Sequence, residues 1–326
     1  FAADVTFADG ADIITASAGT DNFRAGVNAG NSIASGGDRN VVIGKNAGTA
    51  LTTGDSNVAI GWEALKTEDT HANNVAIGHA ALTTQNAGTD AFNVAVGYNA
   101  GTSVTTGVQN TIMGGLAGDA LTDADNNVAL GYSAMTTNVL GSESVAIGTF
   151  ALNNQNPATA VNMYNVAVGH NTGAGVTTGI KNTFVGGLAG DATTTASENV
   201  AVGYDSLGTN ILGSHSVAVG PSALRTQNYG TATNAYNTAV GSFAGYAVTT
   251  GTLNTYIGGK AGSTSNTAGN NVAVGYDSLA LNTKGSKNVA VGESALYTFN
   301  VTTATDTFNT AVGHHAGVSV TTGVQN

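Results

Sequence analysis

Residues 57–61 read Asn57-Val58-Ala59-Ile60-Gly61, and the phrase returns with small changes along most of the chain. Its closing glycines are Gly26, Gly44, Gly61, Gly78, Gly97, Gly114, Gly131, Gly148, Gly169, Gly186, Gly203, Gly220, Gly241, Gly258, Gly275, Gly292 and Gly313. Successive spacings are 18, 17, 17 and 19, then 17, 17, 17 and 21 three times over. A fixed period of this length marks a solenoid, in which each repeat is one turn of chain stacked on the last. Side chains alternate along the phrase, so Val58 and Ile60 share one face and Ala59 and Gly61 the other, the pattern of a short β-strand. Val and Ile are expected to face inward and fill the coil, leaving Ala and Gly as a thin outer surface. A second short strand is expected at phrases such as Ala64-Leu65, with turns such as Thr52-Thr53-Gly54 closing the coil. The expected fold is an all-β parallel β-solenoid of 17 coils, rising ~4.8 Å per coil.

A longer period lies over the first. Gly97, Gly169, Gly241 and Gly313 stand at equal intervals, each spanning one such run of four spacings. The residue four places after each repeat glycine follows the same grouping: Gly101, Gly118, Met135 and Leu152, then Gly173, Gly190, Leu207 and Leu224, then Gly245, Gly262, Leu279 and Leu296. The coils thus fall into sets of four. The last residues, Ser319–Asn326, repeat Ser103–Asn110 and stop in mid-repeat, so the protein is expected to continue beyond Asn326. Residues 1–21 lack the phrase and are read as an N-terminal cap or the end of a preceding domain, with short strands at Val5-Thr6-Phe7 and Ile13-Ile14; residues 22–326 form the repeat domain.

Asn opens 15 of the 17 phrases, for example Asn57, Asn93, Asn165, Asn237 and Asn309 before Gly61, Gly97, Gly169, Gly241 and Gly313; Ser144 and Ser216 are the exceptions. Stacked Asn amides can hydrogen-bond up a ladder, and Asn tolerates turn angles, so the role is structural.

Composition excludes several classes. Charged residues are 9%, and net charge is -11 with only 9 Lys and Arg, so no basic patch exists for a nucleic-acid backbone. Hydrophobic residues at 41% separate the chain from disordered sequences. There is no cysteine, hence no disulfide and no thiolate metal site. No apolar run is long enough for a membrane helix, and no membrane insertion is expected. No G-x-S-x-G elbow and no phosphate loop with G-K-S/T occurs, and no enzymatic role, catalytic residue or cofactor is expected.

Phrases such as Ser144-Val145-Ala146-Ile147-Gly148 and Ser216-Val217-Ala218-Val219-Gly220 resemble the head repeats of YadA-type trimeric autotransporter adhesins. The form Asn237-Thr238-Ala239-Val240-Gly241 is similar to repeats of phage tail-fibre proteins. The resemblance covers Asn22–Asn326. It implies a left-handed β-roll, a homotrimer, an extracellular place on a virion or bacterial surface, and attachment to a host-surface glycan or protein receptor. The coils here are longer than the usual autotransporter coil, and no coiled-coil stalk or membrane anchor occurs in the sequence. A structural segment of a phage tail fibre or similar filament is therefore the first reading, and an autotransporter adhesin head the second.

Two aromatic series are candidate contact residues. Phe92, Tyr164, Tyr236 and Phe308 end the longest loops, which run over 83–92, 153–164, 225–236 and 297–308; Trp62, Tyr132, Tyr204 and Tyr276 follow the glycine of each third coil. They either pack against the roll or stack on glycans as repeated weak sites. Of six histidines (His71, His79, His170, His215, His314 and His315), His170 and His314 occupy equivalent positions two sets apart, with Ser242 between them in the series; at ~38 Å along the axis one chain cannot bring them to one metal, and no metal site is assigned. Asp119 and Asp191, like Asp205 and Asp277, are equivalent, but the calcium nonapeptide is absent; Gly114-Gly115-Leu116-Ala117-Gly118-Asp119 has the wrong period. A third class is an ice-binding solenoid, since Thr-Thr pairs begin at Thr52, Thr105, Thr177, Thr249 and Thr321. The last four recur once per set, ~19 Å apart, too sparse for a lattice match.

Overall fold

The computed structural model describes residues 18–326. The expected strands at Val5-Thr6-Phe7 and Ile13-Ile14 lie outside the described residues. Each phrase forms a three-residue strand, from Phe23–Ala25 to Thr310–Val312. These strands pair in chain order, every one parallel to its neighbour, into a seventeen-stranded sheet. Val41 pairs with Val58 and Val58 with Val75. The longest coils keep the same register, Val145 pairing with Val166, because their extra residues are spent in a loop. No helix occurs among the described residues, and none is long and apolar enough to cross a membrane. The chain is a parallel β-solenoid.

The expected orientation of the strands is reversed. Ala59, Ala76 and Ala95 at the strand centres are fully buried, while Val58 and Ile60 on either side are only half-buried. Alternation defines two faces but does not say which is inside. Here the lumen is narrow and takes the small residue, so the β-branched residues form an outer face. Ala64-Leu65 is not a strand either. Glu63 and Leu65 hold left-handed angles (φ 54° and 48°), turning the chain sharply, and Leu65 points into the core. Its backbone N–H still donates to Ala81 O of the next coil (3.0 Å), so the inter-coil ladder continues where the strands end.

The Gly/Leu alternation four residues after each repeat glycine has a packing cause. Ile112, Phe184 and Tyr256 replace the usual Ala at a strand centre and are fully buried. Each lies between two of the glycines. A Cβ on Gly173 would stand 3.0 Å from the Phe184 ring, and one on Gly190 2.7 Å from it. Around Tyr256, a Cβ on Gly245 would come within 2.9 Å of the ring. Where Leu or Met stands in the turn, as at Leu65, Leu82, Met135 and Leu152, the strand centre is Ala; the coils of Ala95, Ala167 and Ala239 carry Gly there and take the large side chain from the next coil. Core volume is thus shared between adjacent coils, as close packing requires. The repeat glycine itself is fixed by backbone. Gly186 has φ 128°, and a Cβ there would lie 2.7 Å from the Gly203 carbonyl of the next coil.

The Asn column is a ladder, built mainly by backbone. The Asn57 N–H donates to Asn40 Oδ1 (2.9 Å), and Asn40 Nδ2 donates to Gly54 O (2.8 Å). Asn182 repeats both bonds, to Asn165 and Ala196. The left-handed residue is the one before Asn, such as Lys181 (φ 58°), not the Asn itself. At Ser144 the side chain is too short, and Gln155 of the same coil reaches in. Its Nε2 lies 3.3 Å from Ser144 Oγ, and its Oε1 accepts from Asn165 Nδ2 (2.9 Å). Ser216 and Gln227 make the same pair, at 3.0 Å.

Candidate functional site

Three features of the outer surface run along the rod. The first is the half-buried face of the seventeen-stranded sheet. Val and Ile residues stack there in most coils, with Thr111, Thr183, Thr238, Thr255 and Thr310 interrupting one column, and Met113, Ile147, Val185, Val240 and Ile257 are exposed. A large exposed apolar face of this kind marks a candidate interaction surface.

The two aromatic series border this face on opposite sides and are not gathered into one site. Phe92, Tyr164, Tyr236 and Phe308 stand immediately before the Asn column, each with a left-handed backbone (φ 49–52°) that turns the ring outward; all are about half exposed. Trp62, Tyr132, Tyr204 and Tyr276 stand just after the repeat glycine, also exposed. Both series lie partly on their neighbours. Tyr204 covers Gly187 and Tyr276 covers Gly259, glycines whose Cβ atoms would sit 3.7 and 3.4 Å from the rings. Tyr132 meets the Phe150 edge at 5.7 Å, and Tyr236 stacks on His215 at 5.0 Å. Lys287 lies over Phe308 at 5.1 Å. Several rings therefore pack on adjacent coils, the Tyr164 hydroxyl also accepts from Asn162 Nδ2 of its own long loop (3.2 Å), and each ring keeps an exposed part. The loops are themselves anchored. Met163, Ala235 and Thr307, just before the outward rings, are fully buried, and Tyr229 donates to Gly251 O (2.7 Å). Burial pushes the Tyr229 hydroxyl far above its ordinary value.

Sequence reasoning missed two clusters. His79 is sandwiched between Trp62 (4.5 Å) and Tyr98 (5.1 Å), making an exposed three-ring ladder across consecutive coils. The signal was available, since all three directly follow a repeat glycine. The second is a groove of about 350 Å³ lined by Phe243, Tyr246, Lys260, Asp277, Leu281 and Tyr297. Arg225 lies over the Tyr246 ring at 6.0 Å and pairs with Asp205. Aromatic and charged side chains in one shallow groove suit a polyhydroxylated ligand.

The remaining candidates separate. His170 and His314 belong to coils eight turns apart. His314 and His315 stack on each other at 3.9 Å, exposed beside Glu293. In four of the five pairs the first Thr does not present a free hydroxyl: Thr52, Thr105, Thr177 and Thr249 donate to Asp69, Thr122, Thr194 and Asn266 carbonyls of the next coil. Asp119 Oδ1 accepts from Thr136 Oγ1 at 2.6 Å. Asp191, at the equivalent place, has a buried Oδ1 with no partner. No protein-family model matches the chain, and no curated protein matches it.

Proposed function

We propose that this chain is a rigid shaft segment of an extracellular fibre, of the phage tail-fibre type, that assembles as a homotrimer and takes part in surface attachment. The observation that supports the reading is the outer sheet face, rich in Val and Ile and carrying Thr in five strands. It is too apolar and too long to remain in water along a whole rod, and it is flat enough for identical faces to meet. Three chains closing around an axis would bury it in every coil at once, which is the geometry that the resemblance to trimeric adhesin and fibre repeats implies. The left-handed roll and the four-coil set belong to the same reading. The aromatic rows then lie at the rims of the buried face, where half-exposed rings can stack on glycans with avidity from repetition.

Light scattering and cryo-electron microscopy test the assembly. The expected result is a mass of three chains and a three-fold rod, with Ile147→Asp/Val185→Asp reduced to folded monomer. A monomeric wild-type rod would overturn the proposal. For attachment, Tyr164→Ala/Tyr236→Ala is expected to keep the trimer and weaken binding to host-surface glycans; loss of folding would make the rings purely structural.

A further inference from the structure

One coil departs from its counterparts in a buried residue. Seven residues after Gly131, Gly203 and Gly275 stand Asn138, Asn210 and Asn282, each fully buried. Each closes its turn on a glycine three residues on. Asn138 Nδ2 donates to Gly141 O (2.8 Å) and Gly141 N donates to Asn138 Oδ1 (2.9 Å). Asn210 with Gly213, and Asn282 with Gly285, do the same. After Gly61 the pair is instead Glu68 and His71. Both members of the turn have changed together, from an amide and a glycine to a carboxylate and an imidazole.

The exchange places an ionisable carboxyl group in the core. The Glu68 side chain is 0% exposed. Its Oε1 accepts from the backbone N–H groups of His71 (3.1 Å) and Asp69 (3.2 Å), while its Oε2 is buried with no hydrogen-bond partner. A buried carboxylate oxygen without compensation is costly, and a neutral Asn serves the same turn elsewhere in the chain. His71 Nδ1 stands 3.2 Å from Glu68 Oε1. Ligand atoms of Glu68, Asp69 and His71 all lie within 4.8 Å of one another. The His71 ring is 21% exposed, so the cluster has an opening to solvent. With metal–ligand bonds of ~2.0–2.1 Å, two ligands of a tetrahedral ion stand ~3.4 Å apart, close to the His71–Glu68 separation.

We propose that Glu68, Asp69 and His71 bind a divalent transition ion of the zinc class, which neutralises the buried carboxylate and staples the turn. A nitrogen donor beside two carboxylates favours zinc, cobalt or nickel over calcium, which takes oxygen ligands. The other cluster, Glu293 with His314 and His315, is exposed at all three residues. It has no buried unpartnered group and serves as the control for surface binding.

The test uses the full chain, stripped with a chelator and titrated with Zn²⁺ by calorimetry and with Co²⁺ by its visible absorption. The wild type is expected to bind one ion at this site and to melt at higher temperature when loaded. The His314→Ala/His315→Ala variant is expected to keep both properties. Glu68→Gln is expected to weaken binding at least about tenfold, the scale of losing a group that fixes a metal site. Glu68→Asn/His71→Gly rebuilds a turn that the chain already makes three times, so it is expected to fold and to lose the zinc-dependent shift. The proposal is overturned if the stripped wild type takes up no zinc, if all uptake disappears with His314 and His315, or if the rebuilt turn binds as the wild type does.

Discussion

Tyr256 and Phe184 both occupy strand centres in place of the usual Ala, and they differ by one hydroxyl. Tyr256 is fully buried, and its Oη makes no hydrogen bond although Ser265 and Asn271 are near; burial pushes the hydroxyl up to about 12. Tyr256→Phe is therefore expected to raise stability by ~1 kcal/mol, since an unsatisfied buried polar group is removed and the ring retained. Tyr256→Ala should cost ~3–5 kcal/mol, because Gly245 and Gly262 beside it have no side chains to fill the space. Urea midpoints check both. Asp191 is a second residue at odds with its site. Burial first, and the Asp205 carboxylate second, push its carboxyl above the ordinary value of 3.8. A raised folded-state value means that the group contributes most when protonated, below 3.8, and that this contribution is lost as pH rises through the folded value. Asp191→Asn is expected to melt higher than the wild type at pH 7, with the gap closing as pH falls below 3.8. A gap that widens on acidification would show that the sign is wrong.

At the scale of the coil, the Asn column and the core are coupled. Gln155 is buried and joins Ser144 to Asn165. Gln155→Leu is expected to cost ~1–3 kcal/mol by leaving Asn165 Nδ2 and Ser144 Oγ short of partners. Adding Ser144→Asn should recover part of the loss, because Asn288 stands in its column beside a coil whose corresponding residue is Phe299. Thermal melts of the single and double variants decide this, and equal melting would break the link. The coil was also where the sequence was most and least legible. Periodicity identified parallel strands and their register, because a period repeated seventeen times leaves one pairing that matches every copy. It could not orient the strand, because Val-Ala-Val alternates identically whichever face is inside. Only the width of the lumen decides, and that width is set by left-handed turns at positions such as Glu63 and Leu65, whose side chains carry no turn signature. The aromatic rows were legible as rows, but their rest on neighbouring glycines was not. The Glu68–His71 turn was hidden because its residues are ordinary one by one and unusual only beside Asn138 and Gly141.

For the whole molecule, the four-coil set proposed above makes a prediction that a uniform solenoid would not. If every coil were interchangeable, removing any one would shorten the rod without other effect, since each layer contacts only its neighbours. The core says otherwise. Deleting 183–199, a single coil, keeps the strand register but removes Phe184 and places Ala201 over Ala167. Gly173, which has no side chain because the Phe184 ring fills its place, would then face a void. The expected cost is ~2–5 kcal/mol, the range for large-to-small changes in a core. Deleting 145–216, a whole set of four coils, splices Ser144 to Val217 and brings equivalent coils together, with Gln227 taking the place of Gln155. That variant should lose four layers, ~19 Å of length, with no void and an unchanged cross-section. Cryo-electron microscopy gives the lengths and urea midpoints the stabilities. A single-coil deletion as stable as the four-coil deletion would show that the coil, not the set of four, is the unit from which the rod is built.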